Sequence, residues 1–221
     1  MPNSEFITDT DVPPGSLVLF DFDGTLSSRD SLLPFLHYAL GTIGLVKTLL
    51  KASPWLVGYA LRLIPNDVAK TRLLSAAFLG ENISVLREKG QTFAKTILPS
   101  MLQPYMMARL AGYQNAGCCC VLVSASLDLY LQPWAKSVGM TAVLCSSLRC
   151  DLAGRIADGF KDKNCHGEEK VRRIQAFLKE QASGPPPVIL AYGDTRGDIP
   201  MMELANQAWW VRSPSVYKFI K

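Results

Sequence analysis

The chain is poor in charge. Only 19% of its 221 residues are Asp, Glu, Lys or Arg, against 48% hydrophobic. With a mean hydropathy of +0.14, that balance excludes a disordered chain and leaves an apolar surplus to explain. Neither sign of charge dominates. The 23 basic and 19 acidic residues leave a net +4, too mild for a nucleic-acid face, and no nucleic-acid partner is expected. No two cysteines stand at CxxC spacing, which removes a zinc site. Three of the six are the adjacent Cys118, Cys119 and Cys120. Neighbours in an extended run point to opposite faces at a spacing unsuited to a bridge, so they read as small buried residues of a strand. Residues 1–14 lack a basic stretch followed by an apolar one, so they read as a flexible N-terminal segment, not a signal peptide. The expected location is cytoplasmic. Internal repeats and low-complexity segments are also missing.

Short apolar runs at Ser16–Phe20, Cys119–Val123, Thr141–Cys145 and Pro187–Tyr192 have the look of buried parallel strands. Helical patterns at Met101–Ala116, Leu127–Val138 and Glu168–Gln181 separate them, and Trp209-Trp210 begin a late strand. The alternation predicts an α/β fold, a Rossmann-like parallel sheet with helices on both faces. A turn at Gly154-Arg155, between Leu148 and Phe160, predicts a small hairpin. From about Asp30 to Leu98 the alternation breaks. That stretch reads as several helices with stops at Pro54, Pro65 and Gly80, placed after the first strand as a cap over the strand ends. The expected division is a core of residues 15–29 and 99–221 and a helical cap of residues 30–98. Within the cap, His37–Ile64 is unusually apolar, interrupted by Lys47, Lys51 and Arg62. Buried cap helices, an interfacial amphipathic element and a partner-docking surface all fit it, burial being the plainest.

The carboxylates carry the chemistry. Asp21 and Asp23 stand two apart at the end of the first strand, in Asp21-Phe22-Asp23-Gly24-Thr25, so both project into one site. Asp194 and Asp198 follow a later strand. Four acids converging at one sheet edge make a hard-cation site whose natural occupant is Mg²⁺. Ser124, followed by Ala125-Ser126, ends another strand, where its hydroxyl and nearby amides suit a phosphate oxygen at a helix start. Lys170, early in the next helix, supplies a cation for the phosphate and for a nucleophilic carboxylate.

In order, Asp21-Phe22-Asp23-Gly24-Thr25, Ser124, Lys170 and Gly193-Asp194…Asp198 resemble the four motifs of haloacid dehalogenase (HAD) superfamily phosphatases. The insert after the first motif resembles the helical C1 cap of the phosphoserine-phosphatase-like branch, subfamily IB. The resemblance runs from about Ser16 to Val211. It implies a Mg²⁺-dependent phosphomonoesterase in which Asp21 attacks phosphorus and carries an aspartyl-phosphate, and Asp23 is the general acid and base. It further implies that Asp21, the backbone carbonyl of Asp23 and Asp194 hold Mg²⁺, with Asp198 acting from outside the ligand set. Ser124, Ala125 and Lys170 would hold the phosphate.

Three departures bear on substrate. Phosphoserine phosphatases have Glu where this chain has Asp30, a Gly pair where it has Ala125-Ser126, and Asn where it has Gly197. Asp30 either meets a substrate amine or caps the first cap helix. The greasy insert is similar to that of the bacterial phosphatidylglycerophosphatase C family. The implied partner is a phosphorylated small molecule such as a phosphoserine-like metabolite, or alternatively a lipid phosphate met at the inner face of the membrane through the cap. A receiver-type phosphoacceptor is too short to match. A non-catalytic scaffold retaining the fold is the remaining alternative, and monomer and homodimer both fit.

Overall fold

The computed structural model describes residues 12–181 and 188–220. Most of the 1–14 segment, and the start of the run expected at Pro187–Tyr192, lie outside the described residues. Strand β1 (Leu17–Phe20) is buried at every position, as a strand covered on both faces must be. It pairs in parallel with β2 (Cys119–Leu127) on one side and β6 (Ile189–Gly193) on the other. The full sheet runs β3-β2-β1-β6-β7-β8, with β3 at Ala142–Ser146, β7 at Gln207–Arg212 and β8 at Ser215–Lys218. Only β8 is antiparallel to its neighbour.

Alternate residues of each strand feed two cores. Leu17, Leu19, Val121 and Val123 pack with Ile174, Met201 and Met202, which belong to α6 (Glu168–Gln181) and α7 (Ile199–Leu204). Val18, Phe20, Cys120 and Leu122 face Tyr113, Tyr130 and Trp134, from α4 (Pro104–Asn115) and α5 (Asp128–Ser137). Cys119 and Cys120 therefore point to opposite faces. The fold is α/β and Rossmann-like, with helices on both faces. The chain winds outward from β1 through β2 and β3, then resumes at β6 on the other side of β1. The carboxyl ends of β1 and β6 thus border the crevice where such sheets bind ligands.

Three helices fill the insert after β1: α1 (Leu32–Ala60), α2 (Asn66–Phe78) and α3 (Ile83–Thr96). Pro65 precedes the first residue of α2, and Gly80 follows its end. Pro54 departs from expectation, because α1 continues through it. Proline has no N–H for the Leu50 carbonyl, and the Ser53 hydroxyl donates to that carbonyl instead, at 2.8 Å. The break in α1 falls at Gly41 (φ +68°). Burial also covers less of this segment than expected. Thr48 and Ala52 are buried, but a full side of the helix is open to solvent.

The expected hairpin is formed by β4 (Leu148–Cys150) and β5 (Ile156–Phe160). Asp158 of β5 ties it to α2 by accepting from the Ser75 hydroxyl and from Arg72 at 3.4 Å. Two element starts differ from the sequence reading. Leu98–Met101 forms its own 3₁₀ turn, so α4 starts at Pro104, and Trp209-Trp210 lie within β7, where Trp209 stacks on Tyr192.

Candidate active site

Asp21 leaves β1 in extended conformation, its amide donating to the Tyr192 carbonyl at 3.0 Å, which fixes the end of β1 against β6. Its carboxylate is buried and accepts from Lys170 Nζ at 2.6 Å. Lys170 is itself buried and donates twice more, to Asp198 Oδ1 at 2.5 Å and to the Val123 carbonyl at 2.8 Å. All three ammonium protons are thereby used. Burial alone lowers the affinity of this amine for its proton, but Asp21 and Asp198 outweigh that and hold it protonated. The Asp21 carboxyl is pushed well up by burial and by Asp198, against the pull of Lys170.

Asp198 is committed on both oxygens. Oδ1 takes Lys170, while Oδ2 accepts from the amides of Asp194 (3.2 Å) and Thr195 (3.0 Å) and from the Thr195 hydroxyl (2.9 Å). Burial raises its pKa, and Lys170 with these donors more than reverses the effect. Asp194 is less enclosed, and burial with the Asp198 charge pushes it up to about 6.

Carboxylate oxygens of Asp21, Asp194 and Asp198 all lie within 4.8 Å of one another. This hard, anionic oxygen set suits Mg²⁺. Because Asp198 is fully subscribed, the ligand capacity rests with Asp21 and Asp194. The loop after β1 is shaped to the cluster: a Cβ at Gly24 (φ +81°) would stand 2.1 Å from Asp194 Oδ2. Gln103 fixes that loop by donating to the carbonyls of Gly24, Thr25 and Ser27 at 2.8–3.1 Å.

Asp23 turns to a different set of partners. Its carboxylate accepts from the Ser31 amide at 2.8 Å and from the Ser126 hydroxyl, and Ser31 Oγ lies 3.0 Å from the Tyr130 hydroxyl. Burial, then the nearby Asp30, raise its pKa, and the Ser126 and Ser31 bonds only partly offset them. Ser124 is buried at the same sheet edge, but β2 runs on to Leu127. Its hydroxyl accepts from the Ser126 amide at 3.1 Å, inside the strand and not at the start of α5. Asp30 Oδ1 accepts from the amides of Leu32 (2.9 Å) and Leu33 (3.2 Å), capping α1.

Asp21, Asp23, Asp30, Ser124, Lys170 and Asp198 line one cavity of about 670 Å³ between the strand ends and the insert. Its floor holds Asp21, Asp23, Ser124, Lys170 and Asp198, and Leu32, Leu33, Leu49, Leu56 and Leu73 form an apolar wall. Lys70 and His166, which the sequence reading did not place at the site, line it as well. Lys70 reaches in from α2 and donates to the Ala125 carbonyl at 2.8 Å; burial lowers its pKa against Asp23, Asp30 and Asp21. His166, its pKa lowered by burial and by Lys170, lies against Gly197, where a Cβ would stand 2.3 Å from Nε2. An asparagine at 197 would collide with this imidazole. Lys70 escaped because insert and core meet only in the folded chain, and His166 because its neighbour Gly197 belongs to a distant part of the core. Ser31 and Ser126 were visible beside motif residues, but the bonds of the Ser31 amide and the Ser126 hydroxyl to Asp23 were not.

The chain belongs to the haloacid dehalogenase-like hydrolases, whose family model matches residues 18–203. It is 34% identical over 199 residues to Protein CicA of Caulobacter vibrioides (strain NA1000 / CB15N), an alignment covering 86% of this chain and 83% of that protein. Among solved structures, a Bordetella pertussis Tohama I protein of unknown function superposes with a TM-score of 0.70 at 18% identity, covering 88% of this chain and 89% of that one. A substrate-bound phosphoserine phosphatase superposes with a TM-score of 0.62 at 15% identity, covering 88% and 84%. At such identities these likenesses are to the fold.

Proposed function

We propose that the protein hydrolyses phosphomonoesters through an aspartyl-phosphate on Asp21. The observation that carries this reading is the clamp of the buried Asp21 carboxylate by Lys170, beside Asp194 and two residues before a separately held Asp23. An Asp21 oxygen attacks phosphorus as the bond to the ester oxygen breaks, and Asp23 gives that leaving oxygen a proton. Water then attacks phosphorus, Asp23 takes its proton, and Asp21 and phosphate are released. Burial and the Asp30 charge, by raising the pKa of Asp23, favour the protonated form that the first step needs. Lys170 keeps Asp21 oriented and balances the charge of the bound phosphate, and Ser124 and the backbone at Ala125 complete the phosphate site. Asp21, the Asp23 carbonyl and Asp194 would hold Mg²⁺, with Asp198 bracing them through Lys170 and the Asp194 amide. When bound, the ion offsets negative charge between carboxylate and phosphoryl oxygens. In this reading residues 15–29 and 99–221 are the catalytic core and 30–98 its cap.

The first substrate class is a small phosphate ester, such as a phosphoserine-like metabolite. A lipid phosphate is the second, favoured by the leucine wall of the cavity. The test is phosphate release from a panel of soluble and lipid phosphomonoesters. Release is expected to require Mg²⁺, to stop with EDTA, and to vanish in Asp21→Asn. Undiminished release by that variant would remove Asp21 as the nucleophile, and silence of the folded protein across the panel would overturn the reading in favour of a non-catalytic role. Ser126→Ala, which removes the hydroxyl that positions the Asp23 carboxyl, is expected to lower kcat by roughly ten- to a hundredfold with little change in KM. An equal loss expressed in KM alone would argue against positioning of Asp23.

A further inference from the structure

Helix α1 is apolar on both sides, but only one side is used by the fold. Thr48 and Ala52 are buried, with Leu45, Leu49 and Leu56 half-buried against the core. The opposite side carries Ile43 (74% exposed), Val46 (50%), Leu50 (68%) and Val57 (55%), and Leu61 (64%) continues it past the helix end. Successive steps of three, four, seven and four residues keep these side chains on one face. The stripe is ~27 Å long at 1.5 Å per residue. A stripe of that length, unbroken by acid, is not the scatter of single exposed apolar residues normal on a soluble surface.

Charge selects the occupant. Residues 31–66 contain no Asp or Glu, whereas Lys47 and Lys51 flank the stripe and Arg62 stands at its end. A second copy of this face would set these cations against one another across a two-fold axis, with no acid in the segment to meet them. A membrane span is also excluded by the packing. By composition α1 is long enough to cross, but its inner side is held against α2 and supplies Leu49 and Leu56 to the catalytic cavity. Exposed apolar side chains beside lysines, with no acid in the segment, match a helix lying in the plane of an anionic lipid surface, its apolar side chains inserted and its lysines at the headgroups.

We infer that the outer face of α1 is a peripheral docking surface for anionic bilayers. It places the leucine wall of the cavity one helix thickness from the lipid. The surface stands independently of the catalytic reading, because vesicle binding is measured without turnover.

The full chain is sedimented with vesicles of phosphatidylcholine alone and of phosphatidylcholine mixed with phosphatidylglycerol. Binding is expected on the mixed vesicles at low salt and is expected to weaken as salt rises. Lys47→Gln with Lys51→Gln should weaken the partition about 30-fold, at about 1 kcal/mol per lysine. Leu50→Glu with Val57→Glu should remove it. All four positions are solvent-exposed, so circular dichroism and thermal midpoints should match the parent chain. Absence of binding to the mixed vesicles at low salt would overturn the inference. So would full binding by the Leu50/Val57 variant, or a dimer that this variant splits in a chain that ignores vesicles.

Discussion

Methionine in place of Lys170 is expected to stop phosphate release and to destabilise the fold by about 3–5 kcal/mol. Lysine and methionine are similar in length, so little cavity is made and the effect is electrostatic. The ammonium lies 2.6 Å from Asp21 and 2.5 Å from Asp198, and all three groups are buried. Without it, two carboxylates face each other in a poorly solvated site and the Val123 carbonyl loses a charged donor. Turnover should fall by roughly 10³-fold or more, since in the proposed mechanism the same group orients the nucleophile and balances the phosphate. Adding Asp21→Asn removes one of the stranded charges. The double variant should therefore recover part of the lost stability, with a coupling of about 2 kcal/mol in denaturant titrations, while remaining inactive. Arginine is not a rescue, because its planar fork cannot place three protons around one point. A Lys170→Met protein that melts with the parent chain would show that the triad holds no folding energy.

Much of this site was legible because its chemistry follows strand ends. Asp21-Phe22-Asp23, Ser124 and Asp194 sit where apolar runs stop, and α/β topology brings those stops to one edge. Lys170 was legible only as part of an ordered set, since a lysine in the first turn of a helix is ordinarily solvent-facing. What escaped were groups whose partners are distant in sequence. Asp198 was expected outside the metal's ligands, but its four bonds, two to backbone amides and one each to Thr195 and Lys170, could not be read from spacing. Lys70 approaches Ala125 across 55 positions, and Tyr130 approaches Ser31 across 99. Pro54 misled for a local reason, because a serine hydroxyl one residue before it satisfies the carbonyl that proline strands. The apolar segment misled in degree. Composition reports that α1 is greasy, but only the packed helix separates the side taken by the core from the side left to solvent.

Alanine at Gly24 is expected to cut turnover by at least about 100-fold, by moving a carboxylate that it does not replace. Two costs arise there, and a second glycine separates them. Gly24 (φ +81°) and Gly159 (φ +92°) both occupy backbone conformations that disfavour a Cβ, at about 1 kcal/mol each. Around Gly159 there is nothing within 4 Å, whereas the new methyl at 24 would stand 2.1 Å from Asp194 Oδ2 and 2.6 Å from its Cγ. Gly159→Ala should therefore show only the backbone strain, as a slightly lower thermal midpoint with turnover intact. Gly24→Ala should show the same strain together with a displaced Asp194, and more Mg²⁺ should be needed for half-maximal rate. Because Asp194 is freer than Asp198, which is held by four hydrogen bonds, it is the carboxylate that gives way. Loss of turnover without a change in Mg²⁺ requirement would place Asp194 outside the metal site. Equal losses in the two variants would trace the effect to backbone strain alone.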